Sequence, residues 1–170
     1  VSDMHDAYQI NKNDLLPYIY PNDEILKKKG IFGIFLGYYF AWEGYDNYKV
    51  AKNNGFQEYA GELEGSLLNF ENLDNYLHGI HDYYKFLKFG FARATDQACL
   101  QIRRGKLTRK KALDIIKNIE GKFPWKYLNK NLEDILKPIG ITVDQFIQNC
   151  DKFTNKKIFQ TAEDGILKKK

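Results

Sequence analysis

The run LDNYLHGIHDYYKFLKFGFARATDQACLQIRRGKLTRKK, Leu73 to Lys111, decides how this chain folds. Leu73, Leu77, Ile80, Tyr84 and Leu87 recur at steps of four and three, which places five apolar side chains on one face of a long helix. Gly90 breaks it, and a second helix beginning near Arg93 sets Ala94, Ala98 and Ile102 on one side and Arg93, Asp96 and Arg103 on another. Alanines let a neighbouring helix approach closely, so the ionised stripe need not face bulk water. Gly105 supplies a left-handed stop, and Thr108 caps a third helix with Ala112, Ile115, Ile116 and Ile119 inward and a stop at Gly121.

Outward from this stretch the signals stay helical. Pro124-Trp125-Lys126-Tyr127-Leu128 turns the chain, Leu128, Leu132, Ile135 and Leu136 predict a further helix ended by Pro138, and Thr142 with Gln145 forms a capping box. The helix behind that box has Val143, Phe146, Ile147, Cys150 and Phe153 inward. On the other side, Gln57 to Ser66 reads as a loop, Asp46 to Asn53 as a short helix, and Asn22 or Asp23 as the cap of a helix that ends in Lys27-Lys28-Lys29-Gly30. Ile31 to Phe40 is short, β-branched and aromatic, and periodicity does not choose between a buried strand and a buried helix. The expected architecture is therefore mainly α, with at most one short strand-like segment. Residues 1–21 form an irregular lead-in, 22–154 the helical domain and 155–170 a frayed tail.

The chain has 170 residues, 44% hydrophobic and 15% aromatic, enough to bury a core, and a formal charge of +4. That charge is too mild and too scattered to imply a nucleic-acid footprint. Ile31 to Trp42 falls short of the roughly 20 apolar residues that a bilayer span needs, so no membrane partner is expected. The start at Val1, with no basic-then-apolar leader, predicts no signal peptide and suggests a fragment or processed product. Cys99 and Cys150 lack metal-type spacing and read as buried or idle thiols in a reducing cytoplasm.

Arg93 and Arg103 lie about three turns apart on one helix, where two guanidinium forks can bracket an extended anion such as a nucleotide. Asp96 can orient Arg93 or accept from a substrate amine or hydroxyl, although an intrahelical Arg-Asp pair explains the same spacing. Tyr38, Tyr39 and Trp42 with Glu43 can stack on a sugar or a base, or simply fill a core. Two metal sets, Asp3-His5-Asp6 and Asp74-His78-Asp82, are geometrically possible, but solvated or hydrogen-bonded side chains account for both and no metal site is assigned. Arg103, Arg104, Lys106, Arg109, Lys110 and Lys111 crowd one helix-turn-helix junction, so the alternative from another class is a nucleic-acid or protein interaction module. Little beyond Arg109 at the start of the following helix reads base edges, and a nucleic-acid partner is not expected. A Gly-rich phosphate loop, a GxSxG elbow and a CxxC pair are all missing.

The runs Ile34 to Trp42, Lys88 to Asp96, Ile102 to Arg109 and Gly121 to Trp125 together resemble the C-terminal half of bacterial N-acetyl sugar amidotransferases, enzymes of surface-polysaccharide, lipopolysaccharide and nonulosonic-acid pathways. The likeness extends from about Ser2 to Phe159. It implies an α/β ATP-pyrophosphatase-type enzyme whose N-terminal domain carries a Ser-Gly-Gly-x-Asp-Ser loop and binds ATP with Mg. That domain activates the acetamido oxygen of a nucleotide-linked sugar, and ammonia from a separate glutaminase subunit replaces AMP to leave an acetamidino group. The loop is absent from this sequence, so the chain by itself is expected to be inert, to hold no cofactor and to be cytoplasmic. The resemblance makes Arg93, Thr95, Asp96 and Arg103 the substrate- or phosphate-binding candidates, with Tyr38, Trp42 and Arg104 behind them. Ala92 stands where the family often has a second glycine, and Lys110-Lys111 where acidic residues are common.

Overall fold

A computed structural model of the chain describes residues 10–161 and 167–169. The Asp3-His5-Asp6 cluster lies outside them. The fold is mainly α, as the periodicity predicts, with strands confined among the described residues to two short antiparallel ribbons. The chain divides into two compact units, one up to Asn47 and the other from Tyr48 onward.

In the first unit, α1 (Lys12–Leu15) runs into a 3-10 turn, and α2 (Asp23–Lys28) follows Asn22, whose side chain accepts from the Glu24 amide. The last turn of α2 carries Lys27 and Lys28, and Gly30 follows at φ +66°, so the local signals specify this helix completely. Ile31 to Phe40, undecided between strand and helix, holds the single helical turn α3 (Leu36–Tyr39). It is not buried: Phe32, Phe35 and Tyr38 are each more than 80% exposed. The unit ends within α4 (Gly44–Asn53).

The second unit is built on α5 (His78–Phe89), α6 (Arg93–Arg103) and α7 (Arg109–Ile116). The long central helix is shorter than Leu73 promises. Asn72 takes φ +58° and the Asn75 side chain accepts from the Leu77 amide, so the chain turns here before the helix begins. Leu73 still faces the core, packing from the loop against a cluster of Leu63, Tyr127 and Ile135. Gly90, at φ +77°, closes α5 with its amide on the Phe86 carbonyl. Ala94 and Ala98 of α6 are fully buried, and α7, capped by Thr108 through the Lys111 amide, brings Ala112 inside. Ile115, expected inward, is 40% exposed. Beyond Ile116 the backbone keeps turning as far as Gly121, at φ +82°.

The 126–131 segment is a hairpin, β1 (Lys126–Tyr127) with β2 (Lys130–Asn131), followed by α8 (Leu132–Leu136) and a second 3-10 turn. Its two-residue turn sets both Leu128 and Asn129 at positive φ, +49° and +62°. That is the twist-matched hairpin geometry, built here without glycine. α9 (Val143–Phe153) starts at the complete Thr142/Gln145 capping box and buries Phe146 and Cys150, while Ile147 and Phe153 stay exposed. Leu87, Leu132, Leu136, Phe146 and Cys150 form the main core, where each near-fully buried leucine contributes about 1.5–3 kcal/mol. The described residues of 155–170 hold regular structure: β3 (Phe159–Thr161) pairs with β4 (Leu167–Lys169), Phe159 is 2% exposed against the Phe86 ring, and Asn155 donates to the Leu87 and Lys88 carbonyls. Cys99 is exposed, so only Cys150 is a buried thiol. No helix among the described residues is long and apolar enough to cross a membrane.

Candidate functional site

Three of the four leading candidates open α6, and each is already held by a neighbour. The Arg93 guanidinium grips Asp82 of α5 in a fork, Nε to Oδ2 at 2.6 Å and a terminal nitrogen to Oδ1 at 3.0 Å, with side-chain exposures of 18% and 8%. His81 Nδ1 lies 3.1 Å from the same Asp82 Oδ1. Asp96 pairs with Lys85 of α5. Thr95 Oγ1 donates to Glu120 Oε2 at 2.7 Å, while Glu120 Oε1 accepts the Thr95 and Ala92 amides, both at 2.9 Å. α6 has no capping side chain of its own at Ala92, so Glu120 takes that place from the turn after α7. A carboxylate there satisfies amides with no intrahelical partner and meets the positive end of the helix dipole.

Arg103 and Arg104 lie at the other end of α6, about 15 Å away by helical rise, and both are exposed. The helix therefore does not present Arg93 and Arg103 as a matched pair. Its first turn is fastened to α5 and to the 118–121 turn, and Arg103 lies exposed in its last turn. Tyr38 and Trp42 belong to the first unit and are 87% and 66% exposed. His78, from the conceivable metal set, lies 3.3 Å from Asp74, and Asp82 is taken by Arg93. No group of three or more His, Cys, Asp or Glu able to hold a metal occurs among the described residues.

Among the described residues, the second unit has a cavity of about 920 Å³ beside this network. Its walls are the loop from Gly61 to Ser66, the Gly79-Asp82-Tyr83 face of α5, and the turn from Asn118 to Lys126. Ser66 is fixed by Gln97, which also takes the Leu67 amide and donates to Glu71, and Asn69 donates to the Gly61 carbonyl at 2.9 Å, so the loop is braced from within. Trp125, 61% exposed, forms an aromatic wall; Phe123 packs behind it at 4.4 Å and is anchored by edge contacts to Tyr83 and Phe146. Glu64 lies 3.6 Å from Lys126 through Oε1, and its Oε2 is buried with no hydrogen-bond partner.

None of Arg93, Thr95, Asp96 or Arg103 lines the cavity, whereas Asp82, Ala92 and Glu120 do. Sequence reasoning missed Glu64, Glu120 and Trp125. The Glu-Leu-Glu-Gly-Ser stretch from Glu62 mixes buried Leu63 and Ser66 with carboxylates, a combination that a purely solvated loop has no reason to show. In Gly121 to Trp125, one of the runs that carries the family likeness, the local signals are a helix stop at Gly121 and a turn from Pro124, and neither points to a cavity wall.

Residues 45–170 match the family model described as LPS biosynthesis protein WbpG-like, C-terminal domain. No curated protein matches the chain. The matched family speaks for lipopolysaccharide biosynthesis and does not favour the nucleic-acid or protein interaction module. With about three quarters of its length inside that match, the chain belongs to the WbpG-like C-terminal domain family of LPS biosynthesis proteins.

Proposed function

We propose that this chain is the C-terminal part of an amidotransferase that converts the acetamido group of a nucleotide-linked sugar into an acetamidino group, using ATP and ammonia. The observation that carries the reading is convergence. Of the four runs that resemble N-acetyl sugar amidotransferases, two meet at one cavity, through Ala92 and through Gly121 to Trp125. Membership of a lipopolysaccharide biosynthesis family supports the same substrate world.

The acetamido oxygen attacks the α-phosphorus of ATP, pyrophosphate leaves, and ammonia adds to the activated carbon. AMP then departs with the former acetamido oxygen, and the nitrogen keeps the proton that makes the amidinium. ATP and its Mg are held by a preceding domain, and a glutaminase partner supplies the ammonia. Arg103, exposed at the end of α6, is a cation of this domain that can meet phosphate oxygens of ATP, in fork geometry and without a protonation question. Arg93, Thr95 and Asp96 act by fixing the start of that helix.

The test uses the protein with its preceding domain, ATP, ammonium and a panel of nucleotide-linked N-acetylated sugars. AMP and pyrophosphate are expected in equal amounts, only when sugar and ammonium are both present, with an oxygen replaced by NH in the sugar. Absence of AMP release across the panel overturns the reading.

A further inference from the structure

We propose that the cavity of the second unit binds the pyranose ring of the substrate, with Trp125 as its stacking platform and the Glu64 carboxylate as acceptor for a ring hydroxyl. This rests on the reading above for the substrate class alone. The location and the residue roles come from the cavity.

Charge balance comes first. Asp82 is neutralised by the Arg93 fork, and Glu120 is consumed by the start of α6. Of the charges that remain in the lining, Glu64 lies 3.6 Å from Lys126, and Glu62 and Lys122 add one of each sign. Such a lining suits an uncharged polyol inside, with the exposed lysines at the rim for the phosphates of the nucleotide. Shape agrees: about 920 Å³ lies within the range of small-molecule sites and exceeds what one sugar ring needs.

The wall chemistry is that of carbohydrate recognition. A pyranose has an apolar face of C–H groups, which packs on an aromatic ring whose face is electron-rich, and a rim of hydroxyls that donate to carboxylates. Trp125 supplies the ring and is held by Phe123 against the core, so little ordering remains for binding to impose. Glu64 supplies the acceptor. Its Oε2 is closed to solvent and has no donor, which is disfavoured, and turning the carboxylate to accept a ring hydroxyl removes that penalty.

The 170-residue chain is titrated with free N-acetylglucosamine, N-acetylgalactosamine and N-acetylmannosamine, with their available UDP conjugates, and with UDP alone. Saturation-transfer NMR follows the ligand, and emission from Trp42→Phe protein, where Trp125 is the remaining tryptophan, reports from the wall. At least one sugar is expected to saturate and to shift that emission more than UDP does. Glu64→Gln and Trp125→Ala, each checked for native circular dichroism, should each weaken binding about tenfold or more. No saturable sugar binding, or affinity unchanged in both variants, overturns the proposal. Sugar binding without AMP release by the longer protein would instead remove the amidotransferase reading and leave this site standing.

Discussion

Separating Asp82 from Arg93 tests the frame of the site directly. The pair is nearly dry, the carboxylate at 8% and the guanidinium at 18% side-chain exposure, and Asp82 takes both contacts of the Arg93 fork. Asp82→Leu leaves a cation buried without its counter-ion, an error that costs about 3–5 kcal/mol in a dry interior. Arg93 keeps some access to water, so the lower end applies: about 3 kcal/mol, or roughly 10 °C in melting temperature for a domain of this size. Asp82→Leu with Arg93→Met removes both charges and should return to within about 1 kcal/mol of the parent. Urea unfolding of the parent, Asp82→Leu, Arg93→Met and the double variant, followed by circular dichroism, closes the cycle, with an expected coupling of about 2 kcal/mol or more. If both single variants lose under about 1 kcal/mol and the double is additive, the guanidinium is not a structural tie. Arg93 would then stand open to a phosphate, as its place in the sequence first suggested.

Other consequences are reached with ordinary measurements. Gly121→Ala must hold φ +82° with a Cβ 2.4 Å from the Phe86 ring, so a loss of about 3 kcal/mol is expected in the same urea assay, and a neutral result would mean that the turn relaxes freely. Thr142→Ala removes one half of a complete capping box and should cost about 1 kcal/mol, with faster amide exchange in the first turn of α9 alone. Burial pushes Cys150 up to about 11 and Tyr83, Tyr84 and Tyr127 up to about 12. The unfolded chain therefore releases these protons first, and the stability they lend is complete below pH 9, begins to fall as the unfolded thiol ionises, and is lost as pH rises through 10 to 12. Tyrosinate absorbance should show a late group that ionises together with unfolding. A single transition near pH 10 for all twelve tyrosines would contradict the burial.

The helices were legible where their ends are written locally. Asn22, Thr108 and Thr142 sit at the starts of their helices with side chains accepting from the first turn, and Gly30 and Gly90 end theirs at positive φ. What failed to show depends on partners distant in sequence. Leu73 keeps the helical spacing of α5 without belonging to it, because a loop residue and a helix residue can face one core. The Leu128-Asn129 turn lacks the glycine that announces a hairpin, and Phe159 is buried by Phe86, 73 residues earlier, with no periodicity around it. The candidate site was half visible for the same reason. Arg93 and Asp96 could be picked out on α6, but their partners Asp82 and Lys85 lie on another helix, and the cavity is closed by Glu64 and Trp125 from loops that carry no period at all.

The Glu120 carboxylate gives α6 and α7 a common fate. Because the opening amides of one helix are completed by a side chain that arrives only after the other has been traversed, the two helices close into a ring whose clasp is that single residue. Loss of the Glu120 contacts would free the Ala92 and Thr95 amides, at the far end of the hairpin from the Gly105 bend. A ligand settling against the 118–126 turn would thereby stiffen the root of the helix whose tip carries Arg103, linking occupancy at one end to the poise of the charges at the other.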